Sequence, residues 1–189
     1  MTIIEHLERH LGPIAEGWGT PISSDDQSRV RIVRFSNVPY DGAMTFCTVG
    51  HSDHVAEMDD GRTVRQELLF STAGSYPADQ VASFLLTLSS YLRSRTKALL
   101  RGEVIGPSAP VIPGVAANAV YASMPVIFPQ GLEVYSESVP STVLVWLVPL
   151  SASEAGFVRK EGWSRFEDLL EERNPDLLDL DRPSLVTIS

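Results

Sequence analysis

Three side chains that could bind a metal ion or act as a general base lie close together in the first third of the chain. His51, Asp53 and His54 follow an alternating run, Ala43–Val49, that predicts a β-strand. Loops after strands often carry functional groups, because the strands hold them in place. Imidazole and carboxylate groups bind transition metals, and histidine can accept a proton near neutral pH. The cluster therefore leaves two interpretations open, a small metal-dependent enzyme or a solvated polar loop.

A run of carboxylates near the C-terminus is the second candidate. Glu167, Asp168 and Glu171 fall in a predicted helix, and Asp176 follows it. Acid–base catalysis by paired carboxylates needs burial and two different environments, because their pKa values must differ. A run of charges on a helix is more typical of a solvated face. We therefore interpret these residues as an acidic surface.

The other chemical motifs lead to no catalytic assignment. His6 and His10 have the spacing of a zinc-binding helix, but Glu8 occupies the wrong position for the metalloprotease motif. The sequence contains neither a P-loop nor a G-x-S-x-G nucleophile elbow. Its one cysteine, Cys47, excludes an internal disulfide and lies in a predicted strand, which favours a small buried side chain. We therefore expect no catalytic residue, no cofactor and no bound metal.

The composition predicts one acidic domain. The chain has 189 residues, of which 43% are hydrophobic, and a formal net charge of −9. This length fits a single domain with a sizeable core. Nucleic acids and membrane surfaces are themselves negative, so the charge disfavours both as partners and favours a basic protein, although it also serves solubility alone. No apolar run could span a bilayer and no signal peptide is apparent, so we expect a cytoplasmic location.

Alternation, apolar spacing and turn residues predict a mixture of helices and strands. The predicted helices cover residues 2–11 and 77–100 and two segments after residue 151. The predicted strands cover residues 29–36, 43–49, 63–71, 123–128, 143–150 and 185–188, with that over 143–150 fully buried. Residues 50–61 are predicted to be irregular, and residues 17–28 and 106–120 to be long loops. The loop over 106–120 is long enough to suggest a function.

Two helix-start signals and one charged side chain lead to local predictions. Ser151 with Glu154 forms a capping box, and Ser164 with Glu167 repeats the pattern after a break at Gly162. Glu67 lies directly before an apolar run, so it needs a hydrogen-bonding partner if it is buried.

Several segments, read in order, resemble a known family. The sequence WLVPL at residues 146–150 is followed by EA at 154–155, GW at 162–163 and the closing run DLLDLDRPS at 176–184. Three shorter matches precede them, namely TVGHS at 48–52, RQELL at 65–69 and GEVIGP at 102–107. Together these segments resemble the suppressor-of-fused family in its bacterial short form.

The resemblance implies a single α+β domain over residues 1–189, with a mixed β-sheet flanked by helices and no catalytic activity. In animals the family sequesters a transcription factor by holding a short peptide as an added strand between two domains, and this chain is too short to contain the second. Bacterial short members resemble immunity proteins, which bind and neutralise a cognate toxin of a polymorphic toxin system. An acidic immunity protein would suit a basic toxin, because complementary charge speeds association.

These observations predict a non-catalytic protein-binding domain, with an immunity protein as the first hypothesis. A small metal-dependent enzyme using the histidine cluster is the alternative, and an oligomerising structural domain is a third. The predicted contact surfaces are the loop over residues 51–60 and the acidic surface over residues 167–181. The predicted contact residues are His51, Asp53, His54, Glu167, Asp168, Glu171 and Asp176.

Overall fold

The computed structural model of the protein describes residues 1–19 and 30–186, and in these ranges it contains one mixed sheet flanked by helices. The strands are β1 Glu16–Gly19, β2 Arg31–Ser36, β3 Ala43–Val49, β4 Val55–Glu57, β5 Thr63–Ala73, β6 Val104–Ile105, β7 Ala119–Ser123, β8 Val134–Tyr135 and β9 Thr142–Leu150. The helices are α1 Ile3–Leu11, α2 Ala78–Ser94, α3 Ala152–Glu161 and α4 Trp163–Arg173. The predicted α+β fold is confirmed.

The sheet runs in the order β1-β2-β3-β5-β9-β7-β6, and β4 and β8 pair with the starts of β5 and β9. Every pairing is antiparallel except that between β5 and β9, in which Gln66 lies beside Val143 and Phe70 beside Leu147. Parallel neighbours cannot be joined by a hairpin, so the chain between them crosses over. This crossover supplies α2, β6, β7 and β8.

Strand β9 lies at the centre of the core because both of its faces are covered. Every residue of β9 except Val143 is buried. Helix α2 covers one face, where Leu85 packs in the same cluster as Val145. The other face packs against α1, α3 and α4, and Phe166 belongs to the same cluster as Trp146. Burial on both faces removes the usual alternation, which explains why the predicted fully buried strand reads as an uninterrupted apolar run. Among the described residues, no helix is both long enough and apolar enough to cross a membrane.

The predicted end of the long helix is wrong, and tertiary contacts explain the difference. Helix α2 ends at Ser94 and not at residue 100. The amide of Ala98 donates to the carbonyl of Glu57 in β4, at 2.8 Å. The side chain of Gln66 in β5 bonds both backbone groups of Leu99, at 2.8 and 2.9 Å. These bonds to neighbouring strands replace the helical ones. Strand β4 itself lies within residues 50–61, which the sequence predicts to be irregular.

The predicted strand over residues 123–128 is also wrong. Strand β7 lies four residues earlier, at Ala119–Ser123, and so occupies the end of the predicted loop over 106–120. Pro125 has no amide hydrogen and cannot donate to a strand ladder, and the chain turns there.

Helix starts and chain ends account for the remaining differences. Ser151 and Glu154 form the predicted capping box. Helix α4 begins at Trp163, directly after Gly162, so the predicted cap at Ser164 is wrong. Residues 17–19 of the first predicted loop form part of β1, and residues 20–28 lie outside the described ranges. Residues 185–186 form no strand, and the rest of the predicted last strand lies outside those ranges.

The segment over residues 176–183, called the clasp below, ties distant elements together. The carbonyl of Leu178 accepts the amide of Ala73 at the end of β5, at 3.0 Å. The hydroxyl of Tyr76 donates to Asp179 Oδ1 at 2.7 Å and accepts the amide of Leu180 at 3.0 Å. Leu178 and Leu180 are buried. The run DLLDLDRPS therefore has a structural role.

Arg182 anchors the clasp through a buried ion pair with Glu154. Its Nη1 and Nη2 donate to the two carboxylate oxygens at 2.6 and 3.1 Å, and Nη2 also donates to the carbonyl of Pro149 at 3.0 Å. The carboxylate accepts the amides of Ser151 and Leu185 as well, at 2.9 and 3.0 Å. Both charged side chains are buried. Removing one partner would therefore leave the other charge buried and without compensation.

We expect Arg182→Ala to lower the free energy of unfolding by about 3–5 kcal/mol, because Glu154 would keep a buried charge with no counterion. Arg165→Ala, on the exposed side of α4, is the matched control and should change the same quantity by less than about 0.5 kcal/mol. Urea unfolding followed by circular dichroism measures both. Equal stability of Arg182→Ala and the unaltered protein would contradict this role of the ion pair.

Candidate protein-binding site

The structure does not bring His51, Asp53 and His54 together as a metal site. His51 is buried at the start of a short 3-10 helix, His51–Asp53, and its Nδ1 lies 2.8 Å from Oγ of Ser89 on α2. Burial lowers the pKa of His51 to about 4, so its ring is neutral at pH 7. Asp53 is exposed and His54 is half-buried. Within the described ranges no three His, Cys, Asp or Glu side chains could hold a metal ion, so the metal-enzyme alternative is not supported.

The buried carboxylate of Glu67 holds the loop that begins at His51. Its Oε1 accepts the amides of Gly50 and Ser52, at 2.9 and 3.1 Å, and the hydroxyl of Ser52 at 2.7 Å. The hydroxyl of Thr48 donates to Oε2. These neutral donors are the partners that the sequence analysis requires. Burial nevertheless outweighs them and raises the pKa of Glu67 to about 7.

Because of Glu67, stability should fall as the pH rises through 7. The folded-state pKa of about 7 lies above the ordinary value of 4.5, so the native state binds the proton more tightly. The stabilising effect is fully present below pH 4.5. By about pH 8 the free energy of unfolding should be about 3 kcal/mol lower than below pH 4.5 because of this group. We expect Glu67→Gln, which cannot titrate, to lack this loss in urea unfolding measured from about pH 5 to 8.

The comparison isolates Glu67 because His51 is present in both proteins. The depressed pKa of His51 contributes stability that is lost as the pH falls from its ordinary 6.5 towards about 4, and this contribution cancels in the difference. A difference between the two proteins that does not change with pH would contradict the assignment to Glu67.

Part of the predicted acidic surface is used inside the chain. The carboxylate of Glu167 accepts Nε of Arg101 at 3.1 Å and the hydroxyl of Tyr121 at 2.7 Å, which fastens α4 to β7. Asp176 Oδ1 accepts the amide of Leu178 at 2.9 Å, within the clasp. These two carboxylates therefore have structural roles.

The remaining predicted acidic residues point to the surface. Asp168 and Glu171 are exposed, and neither forms an ion pair within residues 1–19 and 30–186. They are free to attract a basic partner. The contact role of the two predicted surfaces stays a prediction.

An open groove with a volume of about 800 Å³ lies between α2 and the segment over residues 105–113, and is called the α2 groove below. It follows the helix from Asp79 to Tyr91, which corresponds to a length of about 18 Å. Its lining is mostly apolar and includes Phe84, Leu88, Tyr91, Ile105, Pro110 and Val111. A groove of this size and character is a candidate for ligand or peptide binding.

The α2 groove carries a single charged side chain although the chain as a whole is acidic. Asp79 is the one charged residue in its lining, and its Oδ1 accepts the indole N–H of Trp18 at 2.7 Å. The exposed lining positions of α2 beyond it are Gln80, Ser83, Thr87 and Tyr91. Loss of charge together with an exposed aromatic ring is typical of the centre of a protein interface.

Contacts elsewhere in the fold hold the outer wall of the α2 groove. The guanidinium of Arg159 on α3 donates to the carbonyl of Gly106, and the amide of Ala116 donates to Asp181 Oδ1 of the clasp at 2.9 Å. The buried Oδ1 of Asn118, in the lining, has no hydrogen-bond partner among the described residues. The groove is thus largely preformed, which lowers the ordering cost of binding.

Sequence reasoning found one wall of this groove and missed the other. The loop over residues 106–120 was expected to have a function, and it supplies the outer wall. Helix α2 was expected only to pack on the core. The sequence feature that could have revealed this wall is the lack of charge on the exposed face of the helix. On that face, Gln80, Ser83, Thr87 and Tyr91 recur at helical spacing.

Comparisons with known proteins identify a family. The family model of the suppressor of fused protein matches residues 26–183. A search of curated protein sequences finds no match.

Solved structures show the same fold at low sequence identity. A protein described as a suppressor of fused homologue from Neisseria gonorrhoeae has a TM-score of 0.80 and 16% identity, over 99% of this chain and 96% of that one. The Sufu–Fu complex matches with a TM-score of 0.68 and 14% identity, over 97% and 90%. Drosophila Suppressor of Fused matches with a TM-score of 0.70 and 14% identity, over 97% of this chain and 50% of the fly chain.

Proposed function

This chain belongs to the suppressor of fused family, and we propose that it is a non-catalytic protein-binding domain whose partner places an uncharged, apolar segment in the α2 groove. The groove itself carries this proposal, because it is about 800 Å³ in volume, preformed and free of charge beyond Asp79 at one end. A structure with a related fold contains a complex named Sufu–Fu, which supports a protein as the ligand.

The polar and aromatic groups of the groove favour a peptide segment. A peptide brings its own amide donors and can supply the hydrogen bond that Asn118 Oδ1 lacks. A buried acceptor without a partner costs about 1–3 kcal/mol, so satisfying it favours binding. Phe84 and the half-exposed Tyr91 provide aromatic surface along the groove, and aromatic side chains often dominate interface energies.

We further propose that the partner is a cognate toxin and that this chain acts as its immunity protein in the cytoplasm. The resemblance to bacterial short members of the family supports this role. The net charge of −9 and the unpaired carboxylates of Asp168 and Glu171 support a basic toxin, whose approach they would accelerate.

The first experiment identifies the partner. We expect the tagged protein, purified from a lysate of its native cells and analysed by mass spectrometry, to carry one stoichiometric protein. Expression of that protein alone should arrest growth, and co-expression with this chain should restore growth. A stoichiometric partner that is harmless to cells would contradict the immunity role and leave protein binding supported. The absence of any stoichiometric partner would count against both.

The second experiment tests the groove with the isolated partner. We expect Thr87→Arg, which places a charge in the lining, to raise Kd by about tenfold or more, equivalent to about 1.4 kcal/mol. Ser90→Arg is the matched control, because Ser90 is exposed on the same helix but outside the lining. Isothermal titration calorimetry measures both, after circular dichroism has shown that both variants are folded. Equal affinity of the two variants would exclude the α2 groove as the site.

A further inference from the structure

A second surface of the chain concentrates exposed apolar side chains. Among the described residues nine large hydrophobic side chains are exposed, and four of them lie between residues 124 and 139. Val139 is 90% exposed and Val126 is 74% exposed. Met124 and Val134 are also exposed. Exposed apolar groups gathered on one part of a soluble protein mark interaction sites.

Two of these side chains, Met124 and Val134, line a cavity of about 420 Å³, called the end cavity below, at the N-terminal ends of β5 and β9. Val126 and Val139 each adjoin a proline that lines it. The cavity shares no lining residue with the α2 groove.

An exposed tryptophan extends this surface. The ring of Trp163 lies under the guanidinium of Arg101, which is 4.7 Å from the ring centroid, and Arg101 also lines the end cavity. The same guanidinium is paired with Glu167 of α4. Through Arg101, the exposed ring of Trp163 and the carboxylate of Glu167 therefore lie at the edge of the cavity.

The charged residues of the lining itself are Arg62, Arg101 and Glu133, and the segments beside the end cavity add more negative than positive charge. Arg62 and Lys97 are paired with Asp60 and Asp59, at 2.7 and 3.6 Å. In the lining and the segments beside it taken together, carboxylates outnumber cations. The seven carboxylates of the cavity lining and of the segments beside it are Asp53, Glu57, Asp59, Asp60, Glu133, Glu137 and Glu167. The four cations are Arg62, Arg65, Lys97 and Arg101.

Four of these carboxylates form no ion pair within the described ranges, namely those of Asp53, Glu57, Glu133 and Glu137. Arg65 offsets one of these charges, and its guanidinium donates to the carbonyls of Ser52 at 2.6 Å, Asp53 at 3.3 Å and Val139 at 3.4 Å. The result is an apolar centre with unpaired negative charge around it.

The walls of the end cavity are held by the sheet. Gln66 in the lining bonds both backbone groups of Leu99, and the amide of Leu144 donates to the carbonyl of Glu133 at 3.0 Å. The cavity therefore exists before a partner arrives, which reduces the ordering cost of filling it.

We propose that the end cavity and the exposed apolar side chains around it form a second docking surface, which accepts an apolar side chain from a basic surface of a partner protein. The apolar centre excludes water from the contact, and the unpaired carboxylates attract and orient a partner rich in lysine or arginine. This inference rests on the proposed function only in that the chain binds proteins. It concerns a different surface and a partner segment of different charge, and it places the predicted loop over 51–60 and the start of α4 on two sides of one site.

Two peptides of matched length test the proposal by nuclear magnetic resonance on the full ¹⁵N-labelled chain. One is basic, acetyl-Lys-Lys-Leu-Trp-Lys-Lys-amide, and the other is neutral, acetyl-Ser-Ser-Leu-Trp-Ser-Ser-amide. We expect the basic peptide to shift the amides of Met124, Val134 and Val139 saturably. Its Kd should rise several-fold when the ionic strength increases from about 0.05 to 0.3 M, because salt screens the carboxylates. The neutral peptide should shift α2 groove amides instead, which tests the proposed function separately.

Substitutions at exposed positions keep the test independent of folding. We expect Met124→Arg to raise the Kd of the basic peptide by about tenfold or more. The double variant Glu57→Gln with Glu137→Gln should reduce the dependence of that Kd on salt. Tyr40→Ser, at an exposed aromatic residue outside both cavities, is the control and should leave Kd unchanged.

Three results would overturn the proposal. Amide shifts near all exposed carboxylates that do not saturate with peptide would show attraction by net charge alone. Shifts confined to the α2 groove would place the basic segment there. Shifts of the Met124 and Val139 amides that depend on protein concentration without peptide would show that a second copy of the chain covers this surface. Failure of the neutral peptide at the α2 groove, with the basic peptide bound as expected, would contradict the proposed groove and leave this second surface supported.

Discussion

The buried ion pair between Arg182 and Glu154 is the contact on which the C-terminal part of the fold depends. It joins the clasp to the end of β9 and the start of α3, and the same carboxylate completes the capping box of that helix. Two charges withdrawn from water are stable together only when close pairing and further hydrogen bonds offset the loss of solvation. Two direct bonds and three backbone groups provide this here, although Nε of Arg182 is buried without a hydrogen-bond partner among the described residues. The clasp can therefore cross the ends of β5 and β9 without forming a strand.

The clasp has a consequence for binding, because it also holds the outer wall of the α2 groove. That wall contains little regular structure, and Asp181 and Arg159 fasten it from outside. The chain in this way presents a nearly uncharged groove along α2 and, at the starts of β5 and β9, an apolar cavity bordered by charged side chains. A neutral surface selects by shape and burial, whereas a charged rim also selects by sign. The two proposed surfaces would therefore recognise partner segments of different charge.

The long, strongly patterned elements were predictable from sequence, and the short ones were not. The alternation of β3, the apolar run of β9 and the capping box of α3 are local signals, and each one is confirmed. Strands β1, β4, β6 and β8 have two to four residues, too few to show a period. The sequence does not show the end of α2, because hydrogen bonds to the backbone of β4 and to the Gln66 side chain of β5, both distant in sequence, replace the helical ones.

The sequence by itself determined the α+β class, the acidic balance, the buried central strand and the resemblance to the family that the comparisons confirm. Only the tertiary structure decided which polar groups are free to meet a partner. His51 and Glu167 looked available in sequence, yet one is buried against Ser89 and the other is bound by Arg101 and Tyr121. The exposed face of α2 looked unremarkable, yet it borders a groove. The physical reason is that burial and pairing depend on neighbours far away along the chain, and local patterns carry no record of them.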